Sequence, residues 1–198
     1  MTETFFTSDT HYYHKNIIKY CKRPFQDVAE MNQVMVDRWN SRVNENDTVF
    51  HLGDFGFVHK GEGSNILQML KGKKILILGS HDRKASYMSE MGFDEVYTQF
   101  DWKGWLLHHV PIKVKQPLLC GHVHEKWCRL GKFIINVGVD QWNFTPQTID
   151  ELIKAPEESF EIHCPNCNAI IRRMEDNREH WSGRCLHALN EQLTKDDM

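Results

Sequence analysis

The sequence predicts an α/β protein, a β-sandwich flanked by helices, with a small cysteine-bearing module after it. Three observations carry that reading. Short apolar, β-branched runs stop abruptly at Gly or Asp. They alternate with helical periodicity in the first half of the chain and follow one another closely in the second. The cysteines split: Cys21, Cys120 and Cys128 are scattered, whereas Cys164, Cys167 and Cys185 bunch near the end.

Composition sets the bounds. The 198 residues are 40% hydrophobic and 26% charged, with a net charge of −3. That supports a packed core and argues against wholesale disorder. It also argues against a strongly basic nucleic-acid binder held mainly by counterion release. No apolar run approaches the roughly 18 residues of a membrane-spanning helix, and the first residues lack the basic start and apolar stretch of a signal peptide. Cysteines bunched at metal-ligand spacing fit a reducing, cytoplasmic setting better than a disulfide framework.

In chain order, Thr4–Thr7 is a short buried strand ending at Ser8-Asp9. Between Asp27 and Val43, the apolar residues Val28, Met31, Val34, Met35 and Trp39 recur at helical spacing. Thr48–Leu52 is the next strand, stopped by Gly53-Asp54. Residues 64–71 read as a helix, and 74–78 as an all-apolar strand of the kind covered on both faces. Further strands are expected at 95–100, 105–108, 117–120 and 133–137. Thr145 would cap a helix opened by Pro146 and running to Lys154. The domain is expected to span 1–155, a linker 156–161 and the terminal module 162–198.

Acids and imidazoles fall directly after the predicted strands: Asp9 and His11, Asp54, Ser80-His81-Asp82, His109, and His122-Val123-His124. In open α/β sheets, ligands bind outside the carboxyl ends of strands, so these residues are expected to converge. Asp9 and His11 lie two apart and, if extended, point the same way toward one ion; His122 and His124 repeat the spacing. Asp54 could bridge two ions. Two cations about 3.5–4 Å apart clamp the attacking and leaving oxygens of a phosphoryl displacement, and carboxylate–imidazole ligation suits manganese, iron, zinc or nickel better than calcium or magnesium. Taken alone, each piece is an ordinary turn or strand edge; the order of the set carries the argument.

Ser8-Asp9-Thr10-His11, Gly53-Asp54-Phe55, Gly79-Ser80-His81-Asp82, His109-Val110-Pro111 and Gly121-His122-Val123-His124 resemble the five blocks of the calcineurin-like metallophosphoesterases. The resemblance covers about residues 1–154. It is greatest to short members with Asp-Thr-His-x-x-His and Leu-Gly-Asp-Phe, here with His14, Asn16 and His51 in place. It implies a metallophosphoesterase-type sandwich in which Asp9, His11 and His124 hold one metal. Asp54 would bridge, and His109, His122 and residue 80 would hold the second; Val-Pro after position 109 favours His109 over His108. It further implies a metal-bridging hydroxide as nucleophile, His81 as the acid at the leaving oxygen and Asp82 orienting it. His14 is a candidate substrate-side base or outer group. Arg83, Arg23 and Asn16 are candidate substrate contacts, as are Lys15 and Lys22, with solvated surface charge as the plainer reading of the cations. The substrate would be a phosphate ester, with nucleotide or nucleic acid preferred.

Position 80 departs from the family block, which has Asn there. Serine lacks the amide carbonyl that would coordinate the second metal. A tolerated variant, an introduced substitution that slows turnover and an inactive homologue are the three origins compatible with it. With every other block intact, the introduced substitution ranks first and the inactive homologue last. Trp102, Trp105, Trp127 and Trp142 are candidates either to stack on a base or to fill the core.

The terminal cysteines read C-x2-C-x12-H-x4-C through Cys164, Cys167, His180 and Cys185. That spacing points to tetrahedral structural zinc and resembles C2HC zinc fingers in a ββα unit. His187, and more distantly His163, are alternative ligands. Arg172, Arg173, Arg178 and Arg184 could touch phosphates. With five Lys/Arg against nine Asp/Glu in 157–198, however, a structural or protein-contact role is preferred.

Overall fold

The computed structural model describes residues 2–155, together with the backbone of 161–163 and 170–173. The zinc expectation at Cys164, Cys167, His180 and Cys185, with His187, lies outside the described residues. So does most of the linker. The backbone of 161–163 and 170–173 forms an antiparallel hairpin.

Among the described residues, twelve strands and five helices follow in chain order. They are β1 (Thr4–Thr7), α1 (Ile17–Tyr20), α2 (Val28–Asn40), β2 (Thr48–His51), α3 (Lys60–Met69), β3 (Lys73–Ile77) and α4 (Ala85–Met91). Then come β4 (Glu95–Tyr97), β5 (Gln99–Trp102), β6 (Trp105–His108), β7 (Leu118–Cys120), β8 (Arg129–Leu130) and β9 (Ile134–Asn136). The last are β10 (Gln147–Thr148), α5 (Ile149–Leu152), β11 (Glu161–His163) and β12 (Ile170–Arg173). One sheet runs β10-β1-β2-β3-β4, the second β5-β6-β7-β9-β8. β1 to β4 are mutually parallel, each pair joined through helix.

The alternation of side chains along each strand builds two cores. Phe5, Val49 and Leu76 face α2, α3 and α4, where Met31, Met35, Trp39, Ile66, Leu67 and Met91 cover them. Phe6, Phe50, Ile75 and Ile77 point the other way, onto Leu107, Leu119, Ile135 and Val137 of the second sheet. Both faces of the first sheet are thus buried, which is why its strands read as continuous apolar runs. At α2 the Asp27 carboxylate accepts from the backbone N–H groups of Ala29 and Glu30, both at 2.9 Å.

Three expectations change. The run 95–100 is not one strand: Glu95–Tyr97 ends the first sheet and Gln99–Trp102 begins the second, so Thr98 is where the chain changes sheets. The last helix starts at Ile149 and is capped by Thr148, not Thr145; Glu151 completes a capping box, and Gln147-Thr148 joins the sheet instead. The third helix begins at Lys60, four residues before the predicted start, its two glycines having masked the periodicity. The tryptophans fill cores: Trp102, Trp105 and Trp142 pack against the inter-sheet core, and Trp127 against Leu118 and Cys120. Among the described residues, no helix is long and apolar enough to cross a membrane.

Candidate metal centre

The loops after β1 and β2 are laced together by backbone hydrogen bonds: Asp9 N–H to Gly53 O at 2.9 Å, His11 to Asp54 at 3.0 Å and Tyr12 to Phe55 at 2.9 Å. The expected extended geometry is absent. Asp9, His11, Asp54, His122 and His124 all have positive φ, between 47° and 71°. Left-handed backbone at non-glycine residues costs energy and collects at functional sites. Neighbouring glycines leave room for it. A Cβ at Gly79 would come within 2.3 Å of the Asp54 amide and carboxylate, and one at Gly121 within 2.4 Å of the Asp9 carboxylate.

These turns bring the predicted residues into two adjoining clusters. Asp9, His11 and His124 form one; Asp54, His109 and His122 form the other, with ligand atoms within 4.8 Å of one another in each. His122 and His124 therefore separate, one to each cluster. Asp54 joins the clusters: its Oδ2 lies 3.6 Å from His11 Nε2 and 3.5 Å from His109 Nε2. Both of those nitrogens are buried and no hydrogen bond satisfies them. Leaving such atoms unpaired costs about 1–3 kcal/mol each, so they have the character of ligands aimed at cations. The carboxylate–imidazole set fits a pair of divalent metals.

Hydrogen bonds around the clusters orient the rings. His109 Nδ1 donates to the Leu52 carbonyl at 2.7 Å, which leaves Nε2 for the centre. His108 instead turns to the Val110 carbonyl. His124 Nδ1 lies 3.0 Å from Asp140 Oδ2. Each acidic ligand accepts a backbone N–H, Asp9 from His122 at 3.0 Å and Asp54 from His81 at 2.9 Å.

Electrostatics follow burial. Desolvation drives His11 down to about 2, keeping its imidazole neutral, as a ligand must be. Burial opposes charge at His109 and His124 too. There the facing Asp54 carboxylate lifts His109 to about 9, and the Asp140 bond lifts His124 to about 11. Burial raises Asp9. It opposes ionisation of Asp54 as well, but the facing His109 and the His11 ring hold that carboxyl below its usual range.

Two expected roles change. Asp82 does not reach the His81 ring; its carboxylate accepts the backbone N–H groups of Asp54, Phe55 and Gly79 at 2.8–2.9 Å and pins the loops after β2 and β3 together. Arg23 does not face a substrate. It is buried, forks onto Asp140 at 2.8 and 2.9 Å, and donates to the carbonyls of Asp9 and Thr10. Asn16 is exposed at the start of α1, and Lys15 and Lys22 are exposed. His14 sits with Nδ1 3.4 Å from His11 Nδ1 and its ring 4.2 Å from that of Phe57. His81 is half exposed, its Nε2 4.0 Å from Asp54 Oδ2. Ser80, exposed, shares a cleft with His81 and Arg83.

Asp140, Asn136 and Cys21 went unmarked in the sequence. Asp140 lies in a 3₁₀ turn (Val139–Gln141) after β9, and its position just past a strand end is the signal that could have found it. Asn136 donates to the carbonyls of His124 and Trp127 at 2.8 Å. Cys21 groups with His124 and Asp140, with no sequence signal at all.

Comparison with known proteins agrees with this geometry. The family model described as calcineurin-like phosphoesterase matches residues 3–182. An uncharacterized protein of Methanocaldococcus jannaschii is 32% identical over 186 residues, covering 84% of this chain and 98% of that one. The gene 66 protein of Mycobacterium phage L5 is 35% identical over 88 residues, 41% of each chain. The crystal structure of a protein of unknown function from Aquifex aeolicus superposes with a TM-score of 0.63 at 30% identity, covering 78% of this chain and 99% of that one.

Proposed function

The chain belongs to the calcineurin-like phosphoesterase family, and from that premise we propose that it is a dinuclear-metal-dependent phosphodiesterase acting on a nucleotide or nucleic-acid phosphate ester. The observation that carries the reading is the pair of three-ligand clusters joined at the Asp54 carboxylate. When bound, such a cation pair supplies Lewis acidity toward phosphoryl oxygens and acidifies an attacking water.

The protein's own groups do the rest. Asp9, His11 and His124 would hold one ion and His109 and His122 the other, with the Asp54 carboxylate placed between the two sets. Ser80 stands where a further ligand to the second ion is expected. His81, at the rim beside Asp54, delivers a proton from its ring to the departing oxygen, a contribution of about 10²–10⁴-fold. His14 is lowered by burial and then by His81, so it braces His11 as a neutral ring. A diester is favoured because Arg23, the buried cation beside the centre, has its donors committed inside the protein. The second negative charge of a monoester would find, among the described residues, no free buried cation there beyond the metals.

Hydrolysis of bis-p-nitrophenyl phosphate against p-nitrophenyl phosphate, with added manganese, tests the reading. Diester turnover that is faster and abolished by chelation is expected. Faster monoester turnover would make the chain a phosphomonoesterase. The short Ser80 side chain favours one other reading, a binding module without turnover; absence of metal-dependent hydrolysis of any ester would establish that one.

A further inference from the structure

Beside the metal centre lies a cleft of about 520 Å³, within the roughly 300–1,000 Å³ of small-molecule sites. Its inner wall is shared with the centre through Ser80 and His81; its remaining surface includes Phe57, Tyr87, Met88 and Arg83. Phe57 is the unusual member. It is 51% exposed, although its ring packs on two histidines of the centre, 4.2 Å from His14 and 5.2 Å from His81. A large aromatic face thus stands open to the cleft and rigidly backed by the group proposed to protonate the leaving oxygen.

We propose that this cleft binds the planar base of a nucleotide, stacked on Phe57, while the phosphate lies at the metal centre. The inference rests on the phosphoesterase reading and narrows its substrate class to small nucleotides. The apolar Met88 and Tyr87 suit a ring and not a bare sugar. Arg83 supplies a cation at the rim, where its flat guanidinium can add a stacking contact. A polynucleotide would need a basic track along its backbone, and the chain carries a net charge of −3.

Calorimetric titration of the full, manganese-loaded chain with adenosine 5′-monophosphate and with ribose 5-phosphate tests this without reading turnover. The two ligands share the phosphate and differ in the base. Tighter binding of the nucleotide by roughly 5–150-fold, the range of one stacked base, is expected. Phe57→Ala should erase that margin and Phe57→Trp should keep it. Equal affinities in the unaltered protein would overturn the proposal even if no variant folds. A single-stranded oligonucleotide that binds far more tightly than the nucleotide, with a steep salt dependence, would overturn it in favour of a strand-binding groove. Hydrolysis without base discrimination would remove this inference and leave the phosphodiesterase; base discrimination without hydrolysis would do the reverse.

Discussion

Replacing Arg23 by methionine is the sharpest test of how the centre is built. The guanidinium is fully buried and makes four hydrogen bonds of 2.7–2.9 Å: two to Asp140 and one each to the carbonyls of Asp9 and Thr10. Methionine matches the length but supplies no donor, so the Asp140 carboxylate stays buried with only His124 as partner. Breaking one side of a buried ion pair costs about 3–5 kcal/mol. At about 2–4 °C per kcal/mol for a chain of this size, the melting temperature should fall by roughly 6–20 °C. Asp140 also orients His124, so manganese affinity should drop about 10–100-fold. Calorimetric melting and metal titration of the same samples give both numbers. Arg23→Lys should recover little, because an ammonium cannot fork between two carboxylate oxygens and two carbonyls. A variant that keeps its stability to within about 1 kcal/mol, binds metal normally and shows only a raised KM would refute the reasoning. It would return Arg23 to the substrate-contact role expected from sequence.

Three further outcomes are expected. Ser80→Asn restores an amide carbonyl at the rim and should raise second-metal affinity at least tenfold by titration; equal affinities and rates in both proteins would show that position 80 is not limiting. Gly79→Ala drives a methyl into the Asp54 amide and carboxylate, for a loss of about 1–3 kcal/mol and weaker metal binding, and a wild-type urea midpoint would contradict it. His51 is fully buried, its Nε2 2.9 Å from Thr10 Oγ1, and burial presses it to about 3 from an ordinary 6.5. The unfolded chain therefore binds the proton first, and stability should fall as pH drops from 6.5 toward 3, by up to about 1.4 kcal/mol per pH unit from this group. Urea midpoints at pH 7 and pH 5 should show a shallower acid loss in His51→Gln, and an unchanged slope would exclude His51 as a source.

The residues that converge were legible because each follows a strand, and strand ends are where such sheets gather ligands. The apolar runs of β1, β2 and β3 announced a sheet covered on both faces for the same reason. What was not legible is set by distance in sequence and by backbone. Nothing local marks Thr98 as a change of sheet, since both halves of 95–102 carry similar residues. The bond from Arg23 to Asp140 joins positions 117 apart, so a cation beside the first motif read as a phosphate ligand. The pairing of Asp9 with His11 was foreseen for the wrong reason: both residues take left-handed backbone, and the turn, not a pleat, aims them. The orienting role that the family resemblance implied for Asp82 is likewise not what its side chain does. Its carboxylate faces backbone amides that only the folded loops assemble.

Each ligand cluster spans the seam of the sandwich. Asp9 and His11 come from the first sheet and meet His124 of the second; Asp54 comes from the first and meets His109 and His122. Hydrogen bonds cross there too, from His109 to the Leu52 carbonyl and from the His122 amide to Asp9, beside apolar packing that has no directional preference. Ions seated there would act as rivets along one rim. Anything that pries the sheets apart at that edge would therefore divide both ligand clusters at once.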